Sequence, residues 1–299
     1  MLGLPIGIPK RQKRLAGQHA LVDGIPFELP VHSTQSPALM AAFPMNADRA
    51  AALMPGKEIH PFRLWGNTGL FVVTVIDYRV TDIGAYIEYS LAMACTRGAA
   101  PAPPLLPVLR PKHYGLGQYV FDLPVSTEVS VKGGKGIWGM PKHQARLDFK
   151  VGDDVVSSRY EKDGQLAFQI DLDRPRRGPI RLPFHVAAVN YCQFRGMLVR
   201  SYIYFKARIS MALLSKASAR ITIGDHPRVQ PLKTLEIADS PLFTAYMPET
   251  EGVLDDYFES WFLTHDTPPQ EVPEGLESVV DLGRSEEWPP PPRRDPVPA

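Results

Sequence analysis

Cysteine is scarce in this sequence: only Cys95 and Cys192 are present, far apart and without C-x-x-C spacing. That excludes a zinc finger and a disulfide framework, and it points to buried thiols in a reducing cytoplasm. An excess of one charge is missing as well. Lys and Arg total 33 against 32 Asp and Glu, for a formal net charge of +1, so no global field directs the chain to nucleic acid or to a membrane. No run approaches the roughly 18 apolar residues of a membrane-spanning helix. The opening MLGLPIGIPKRQKR places its apolar residues before its basic ones, the reverse of a secretory signal. A phosphate-binding loop is excluded because no Gly-Lys-Ser/Thr occurs in the glycine-rich segment. There is no internal repeat.

Strand patterning is abundant. The 299 residues suit one domain over 19–284, between a basic N-terminal tail (1–18, with Lys10–Arg14) and a proline-rich disordered tail (285–299). Ala20–Leu29 is an extended arm. Ala47–Met54 is a helix, capped by Asn46 or Asp48 and stopped by Pro55-Gly56. Leu70–Tyr78 is an apolar run fit for a strand buried on both faces. In the next strand Ala85, Ile87, Tyr89 and Leu91 alternate with Tyr86, Glu88, Ser90 and Ala92, so Glu88 shares its face with Tyr86 and Ser90. If that face looks into a barrel, all three line it; if it looks out, they are solvated. Pro101–Pro111 is too proline-dense for anything but a loop. A meander follows, with Asp163-Gly164 as a hairpin turn, and Leu198–Ile209 is a strand whose second face mixes Arg200, Tyr202, Tyr204 and Lys206. Arg174–Arg177 and Arg181 form an exposed turn, with an anion site as the alternative. Asp255–Leu263 is assigned as a last helix. The fold class is mainly β: an antiparallel barrel or cone with a few peripheral helices.

The segment Gly133–Asp148, GGKGIWGMPKHQARLD, is the densest in chemistry. Its glycines predict a bend or a close approach to a ligand, and Pro141 then directs the chain into a strand in which Ala145, Leu147, Phe149 and Val151 alternate with polar residues. Gly134-Lys135-Gly136-Ile137-Trp138-Gly139 fits G-x-G-x-x-G in letters, but the dinucleotide fingerprint must open a helix, and here a strand is expected. Lys142 stands just past the bend. From the local pattern alone it is either a surface lysine on a turn or a residue of chemistry.

Two stretches carry a resemblance. Leu123-Pro124-Val125-Ser126-Thr127-Glu128, followed by Gly134-Lys135-Gly136-Ile137-Trp138-Gly139-Met140-Pro141-Lys142, is similar to the T-E … G-R-E-x-W-G-x-P-K signature of the acetoacetate decarboxylase superfamily, and Gly84-Ala85-Tyr86-Ile87-Glu88 resembles its G-x-Y-x-E segment. The matches run from about Gly84 to Asp148. The resemblance implies that Lys142 forms a Schiff base with a small keto acid or aldehyde, with Glu88 facing it and no cofactor or metal required. It also implies a carbon–carbon lyase and an oligomer of identical chains. Glu128, fourteen residues before Lys142 in the sequence, is a second candidate carboxylate, because a strand, a bend and a return would let the two meet. Tyr86, Trp138, Met140 and His143 are the candidate substrate-binding residues.

The departures bear on the reaction. His143 stands where the decarboxylase has a second lysine, Gly136 replaces a carboxylate, and His32–Phe43 lacks the arginine that decarboxylases place near the substrate carboxylate. A lysine activated by a neighbouring cation or by desolvation is a known device in acetoacetate decarboxylase, and a mostly neutral histidine cannot supply that cation, so burial must lower the Lys142 pKa. Decarboxylation, aldol or dehydration chemistry on keto acids and aldehydes, and non-catalytic binding of a small molecule on the same barrel all remain open at this point. A localisation in the cytoplasm is expected, with a small molecule rather than nucleic acid or membrane as partner.

Overall fold

In the computed structural model, residues 18–175, 180–181, 186–194 and 196–266 are described; the basic run Lys10–Arg14, Arg176, Arg177 and the proline-rich tail lie outside them. The chain begins as a hairpin, β1 (His19–Val22) and β2 (Ile25–Glu28), turned at Asp23-Gly24 with both φ positive. The sixteen-residue β3 (Val31–Asn46) leads into α1 (Ala47–Ala51). Asn46 caps α1 by accepting hydrogen bonds from the backbone N–H of Asp48 and Arg49, which satisfies donors that a helix start leaves open. Then come β4 (Ile59–Pro61), β5 (Thr68–Tyr78), the short β6 (Val80–Thr81), β7 (Tyr86–Arg97), the single turn α2 (Leu106–Leu109), β8 (Gly117–Val125), α3 (Glu128–Trp138) and β9 (Lys142–Gln144). The remainder is β10 (Arg146–Leu147), β11 (Lys150–Val151), β12 (Val155–Lys162), β13 (Gln165–Asp173), β14 (Ile180–Arg181), β15 (Val186–Phe194), β16 (Met197–Leu213), β17 (Ala219–Ile223) and β18 (Phe243–Phe262).

Seven of these strands close a barrel in the order β7-β5-β3-β18-β16-β15-β8, shut by the β7–β8 pairing. The barrel is mixed and not purely antiparallel, because β8 pairs in parallel with β15 and with β9. The second of these follows from α3. Parallel neighbours require a crossover, and β8-α3-β9 is one, with the helix carrying the chain back before β9 begins. A five-stranded sheet of β10, β12, β13 and β17, with β11 on β12, covers part of the outer barrel wall.

Period-two alternation decides what each wall residue sees. On β3, β5 and β7, Leu39, Phe43, Phe71, Val73, Tyr89 and Leu91 point outward and are fully buried against Val156, Tyr160, Phe168 and Ile170 of the covering sheet. Tyr89 meets Tyr160 at 6.1 Å and Phe168 at 5.8 Å between ring centroids. The alternate residues Met40, Thr74, Ile76, Tyr86 and Glu88 point into the barrel. The larger core therefore lies outside the barrel, which leaves the inside free for a cavity.

Several sequence expectations need correction. The glycine run 133–139 is not a loop: all but Gly139 belong to α3. The strand expected after Pro141 is broken into β9, β10 and β11. Pro101–Pro111 contains the turn of helix α2, and the extended arm is a hairpin. Ala47–Met54 stays helical only to Ala51. Asp255–Leu263 is not a helix: through Phe262 it is strand, hydrogen-bonded to β16 from Met197 to Ser201, and that long-range pairing overrides its local pattern. On β16, Arg200, Lys206 and Arg208 face Glu259, Glu251 and Glu249 of β18, so its cations are paired across strands. No helix among the described residues is long and apolar enough to cross a membrane.

Phe168 is fully buried, in ring contact with Phe71 and Tyr89. Phe168→Ala is expected to destabilise the protein by about 3–5 kcal/mol, read as a lower urea midpoint at unchanged slope. A loss below about 1 kcal/mol would mean that the covering sheet does not hold the barrel wall.

Candidate active site

Lys142 is the first residue of β9, paired with Leu123 of β8. Its side chain crosses the inner wall below α3 and is 3 % exposed. Two features of α3 allow this. Gly139 ends the helix in the left-handed conformation at φ 65°, and the N–H groups of Gly139 and Met140 bond back to the carbonyls of Lys135 and Gly134, which turns the chain sharply into β9. Gly134 offers no Cβ to the lysine; a methyl group there would stand 2.3 Å from Lys142 Cδ. Phe27 and Val22 of the N-terminal hairpin pack onto the neighbouring Gly133 and Gly136.

Glu88 reaches the same point from β7. Its Oε2 lies 2.7 Å from Lys142 Nζ, and Glu88 is 8 % exposed. Lys142 Nζ also donates to Ser130 Oγ at 3.0 Å. The Tyr86 ring centroid is 5.3 Å from the ammonium, and Tyr78, the cross-strand partner of Tyr86, stacks on it at 4.6 Å. Burial pushes the Tyr86 hydroxyl up to about 12, with the Glu88 charge adding to the shift and Lys142 and Ser130 opposing it. Burial and Glu88 together push Tyr78 well above the usual phenol range. Both tyrosines therefore keep their protons near neutral pH and can donate.

The expectation that burial lowers the Lys142 pKa is overturned. Burial is the largest single influence and acts downward, but the Glu88 carboxylate and Tyr86 together outweigh it and hold the amine above its usual value. The resting site is an ammonium–carboxylate pair, and a proton must leave the lysine before it can attack a carbonyl.

The cavity around the pair holds about 130 Å³ inside the barrel. That compares with the roughly 150 Å³ that accommodates benzene, so a small molecule fits. Its walls include Met40, Ile76, Trp138, Met140, Ile203 and Phe205. Trp138 and Met140 line the cavity, and the indole Nε1–H donates to the Asp255 carbonyl at 3.0 Å, fixing the ring.

Two expected site residues lie elsewhere. Glu128 is the first residue of α3; its side chain is 69 % exposed and pairs with Lys132 one turn on, at 3.2 Å. The stretch from Glu128 to Lys142 is a crossover helix and not a strand and return, so the two do not meet. His143 follows Lys142 on the strand and therefore points to the opposite, outer face. There its Nε2 lies 2.9 Å from Asp122 Oδ1, Tyr160 donates to Asp122 Oδ2 at 3.1 Å, and Arg228 approaches Asp122 at 3.3 Å. His143 does not line the cavity.

Ser130 and Tyr78 escaped the sequence reading. Ser130, Gly134 and Trp138 recur at four-residue spacing, the signature of one helix face, but the glycines masked it. Tyr78 becomes visible only through its register with Tyr86. Among the described residues, no group of three or more His, Cys, Asp or Glu is clustered as metal ligands would be.

The sequence model of the family described as acetoacetate decarboxylase (ADC) matches residues 16–251. No curated protein sequence matches. Among solved structures, the chain is similar to the acetoacetate decarboxylase of Legionella pneumophila, with a TM-score of 0.56 and 12 % identity over 86 % of this chain and 93 % of that one. It is similar to the enduracididine biosynthesis enzyme MppR complexed with pyruvate, at 0.54 and 14 % over 77 % and 90 %. An acetoacetate decarboxylase-like enzyme from Sphingomonas wittichii RW1 gives 0.51 and 14 % over 78 % and 94 %. At such identities these likenesses establish the barrel fold.

Two outcomes follow from the geometry. Gly134→Ala should displace the Lys142 side chain and lower turnover at least about 100-fold, since a misplacement of about 1 Å costs that much; the readout is single-turnover kinetics with circular dichroism as the folding control. Because the folded-state pKa of Lys142 is raised, the stability contributed by its pairing is fully present below the unfolded value of about 10.4 and is lost as pH rises through the folded value. Urea midpoints of the wild type and of Lys142→Met/Glu88→Gln should therefore converge above about pH 10.4 and differ by a constant amount between about pH 7 and 9.

Proposed function

We propose, for a chain that belongs to the acetoacetate decarboxylase family and is an enzyme of that kind, that Lys142 forms an imine with the carbonyl carbon of a small keto acid or aldehyde and uses it for carbon–carbon bond chemistry. The observation that carries this reading is the buried Lys142, 2.7 Å from a buried carboxylate, inside an otherwise largely apolar cavity.

The steps follow from the groups present. Lys142 passes a proton to Glu88, the free amine adds to the carbonyl, and water leaves to give a protonated imine. Tyr86, protonated near neutral pH, donates to the oxygen as it departs, while Ser130 holds the nitrogen in place. The protonated imine then accepts the electron pair released when a neighbouring bond breaks. With a β-keto acid that bond joins the α-carbon to the carboxylate, carbon dioxide leaves, and the enamine carbon takes up a proton from water, relayed through Glu88. A second reading, aldol or dehydration chemistry, is supported by the same carboxylate: beside the imine nitrogen, Glu88 is placed to remove an α-proton and form the enamine without loss of carbon dioxide. MppR, similar in fold, is known in complex with pyruvate.

Borohydride reduction with acetoacetate, pyruvate and a panel of aldehydes, followed by peptide mass mapping, tests the imine directly. An adduct confined to Lys142 is expected, and turnover that survives in Lys142→Ala would sink the assignment. Glu88→Gln should lower turnover by about 10²- to 10⁴-fold while leaving Lys142 able to be trapped. Carbon dioxide release then separates the two reactions.

A further inference from the structure

Resting on the imine reading above, we infer that Thr74 and Ser90 set the substrate specificity of the site: their hydroxyl groups hold the carboxylate of a keto acid whose carbonyl carbon is bonded to Lys142. Both residues line the cavity, and among the described lining residues Lys142 is the only Lys, Arg or His. With no guanidinium or second ammonium on the wall, an anionic group must be bound by uncharged donors. Hydrogen bonds from several such donors favour the ionised form of a carboxylate. The protonated imine supplies its countercharge.

The register of the barrel wall picks out this pair. Thr74 and Ser90 are cross-strand partners on β5 and β7, one inward-facing step along from Ile76 and Glu88. Side chains directly opposite on one face stand about 4.5–5.5 Å apart at Cβ, a spacing at which each hydroxyl can donate to one oxygen of the same carboxylate. Two residues along β7 is about 7 Å from Glu88, so a carboxylate one or two carbons beyond the imine reaches them. Among the described residues neither hydroxyl has a hydrogen-bond partner of its own.

The other uncharged donors are placed differently. Ser130 meets Lys142 Nζ from the α3 side at 3.0 Å, and Tyr86, with Tyr78 stacked on it, serves the departing oxygen. Gln118 and Asn190 are partners on the parallel β8–β15 ladder. Gln118, however, lies five residues before Leu123, the partner of Lys142. That is about 15 Å along the strand, beyond the span of a small keto acid held at Lys142.

Trapping with cyanoborohydride near neutral pH decides the matter. The probes are 4-oxopentanoate, a keto acid that keeps its carboxylate, and 5-methylhexan-2-one, the same shape without the charge. Ser90→Ala and Thr74→Val should each raise the 4-oxopentanoate concentration needed for half-maximal labelling of Lys142 by about tenfold to a hundredfold, the worth of one hydrogen bond to a charged acceptor. The same variants should change that concentration for 5-methylhexan-2-one by less than about twofold. A shift shared equally by both compounds, or absent from both, would overturn the assignment while leaving the imine intact. So would a carboxylate-selective loss found only in Gln118→Leu. No adduct from either compound in the folded wild type would remove the imine reading and this inference with it. Thr74→Val keeps the side-chain shape, so it decides the outcome if Ser90→Ala fails to fold.

Discussion

The buried contact between Lys142 and Glu88 is the constraint around which the barrel interior is arranged. Two charges of opposite sign are less than a tenth exposed, and each is tolerable there only because the other is present. The contact needs two strands that are not sequence neighbours, β7 and β9, to flank β8 in one register, with Glu88 opposite Val125 and Lys142 beside Leu123. It also needs the large core to lie elsewhere. The outward packing of β3, β5 and β7 against the covering sheet meets that need, because most of the wall's apolar side chains are used on the outside.

The crossover helix α3 is the second element of the site. Three glycines inside an eleven-residue helix each cost about 1 kcal/mol of helix propensity relative to alanine, so nothing local favours this helix. What favours it is proximity. The glycines admit the Lys142 side chain at Gly134 and the hairpin residues Phe27 and Val22 at Gly133 and Gly136, at distances that a Cβ would close. Ser130 and Trp138 occupy the cavity side of the same helix. The motif that marks the lysine in the sequence is thus mostly a packing motif: it makes room for the amine and turns the chain at Gly139 so that the amine points inward.

His143 shows how finely the strand divides two environments. One residue from Lys142 it faces outward, into a polar cluster with Asp122, Tyr160 and Arg228 beneath the covering sheet. That cluster anchors the three-residue β9 from behind, while the lysine holds it from the front. A histidine in this position adds no charge to the cavity interior. The resting lysine accordingly owes its protonation to Glu88 and Tyr86.

Much of this was legible in the sequence, because it depends on period and spacing. Alternation in 70–78 and 85–92 placed Tyr86, Glu88 and Ser90 on one face, the Pro141 turn marked Lys142 as the start of a strand, and Asp163-Gly164 marked a hairpin; all are local backbone properties. Tertiary structure decided the rest. It made Glu88 and not Glu128 the partner of the lysine, since the intervening segment is a helix held by packing against its glycines. It turned 255–262 into strand, since β16 supplied the hydrogen bonds. It also raised the lysine pKa, since a carboxylate 2.7 Å away outweighs burial. Local pattern fixes which way a side chain points; only the closed barrel fixes what it meets there.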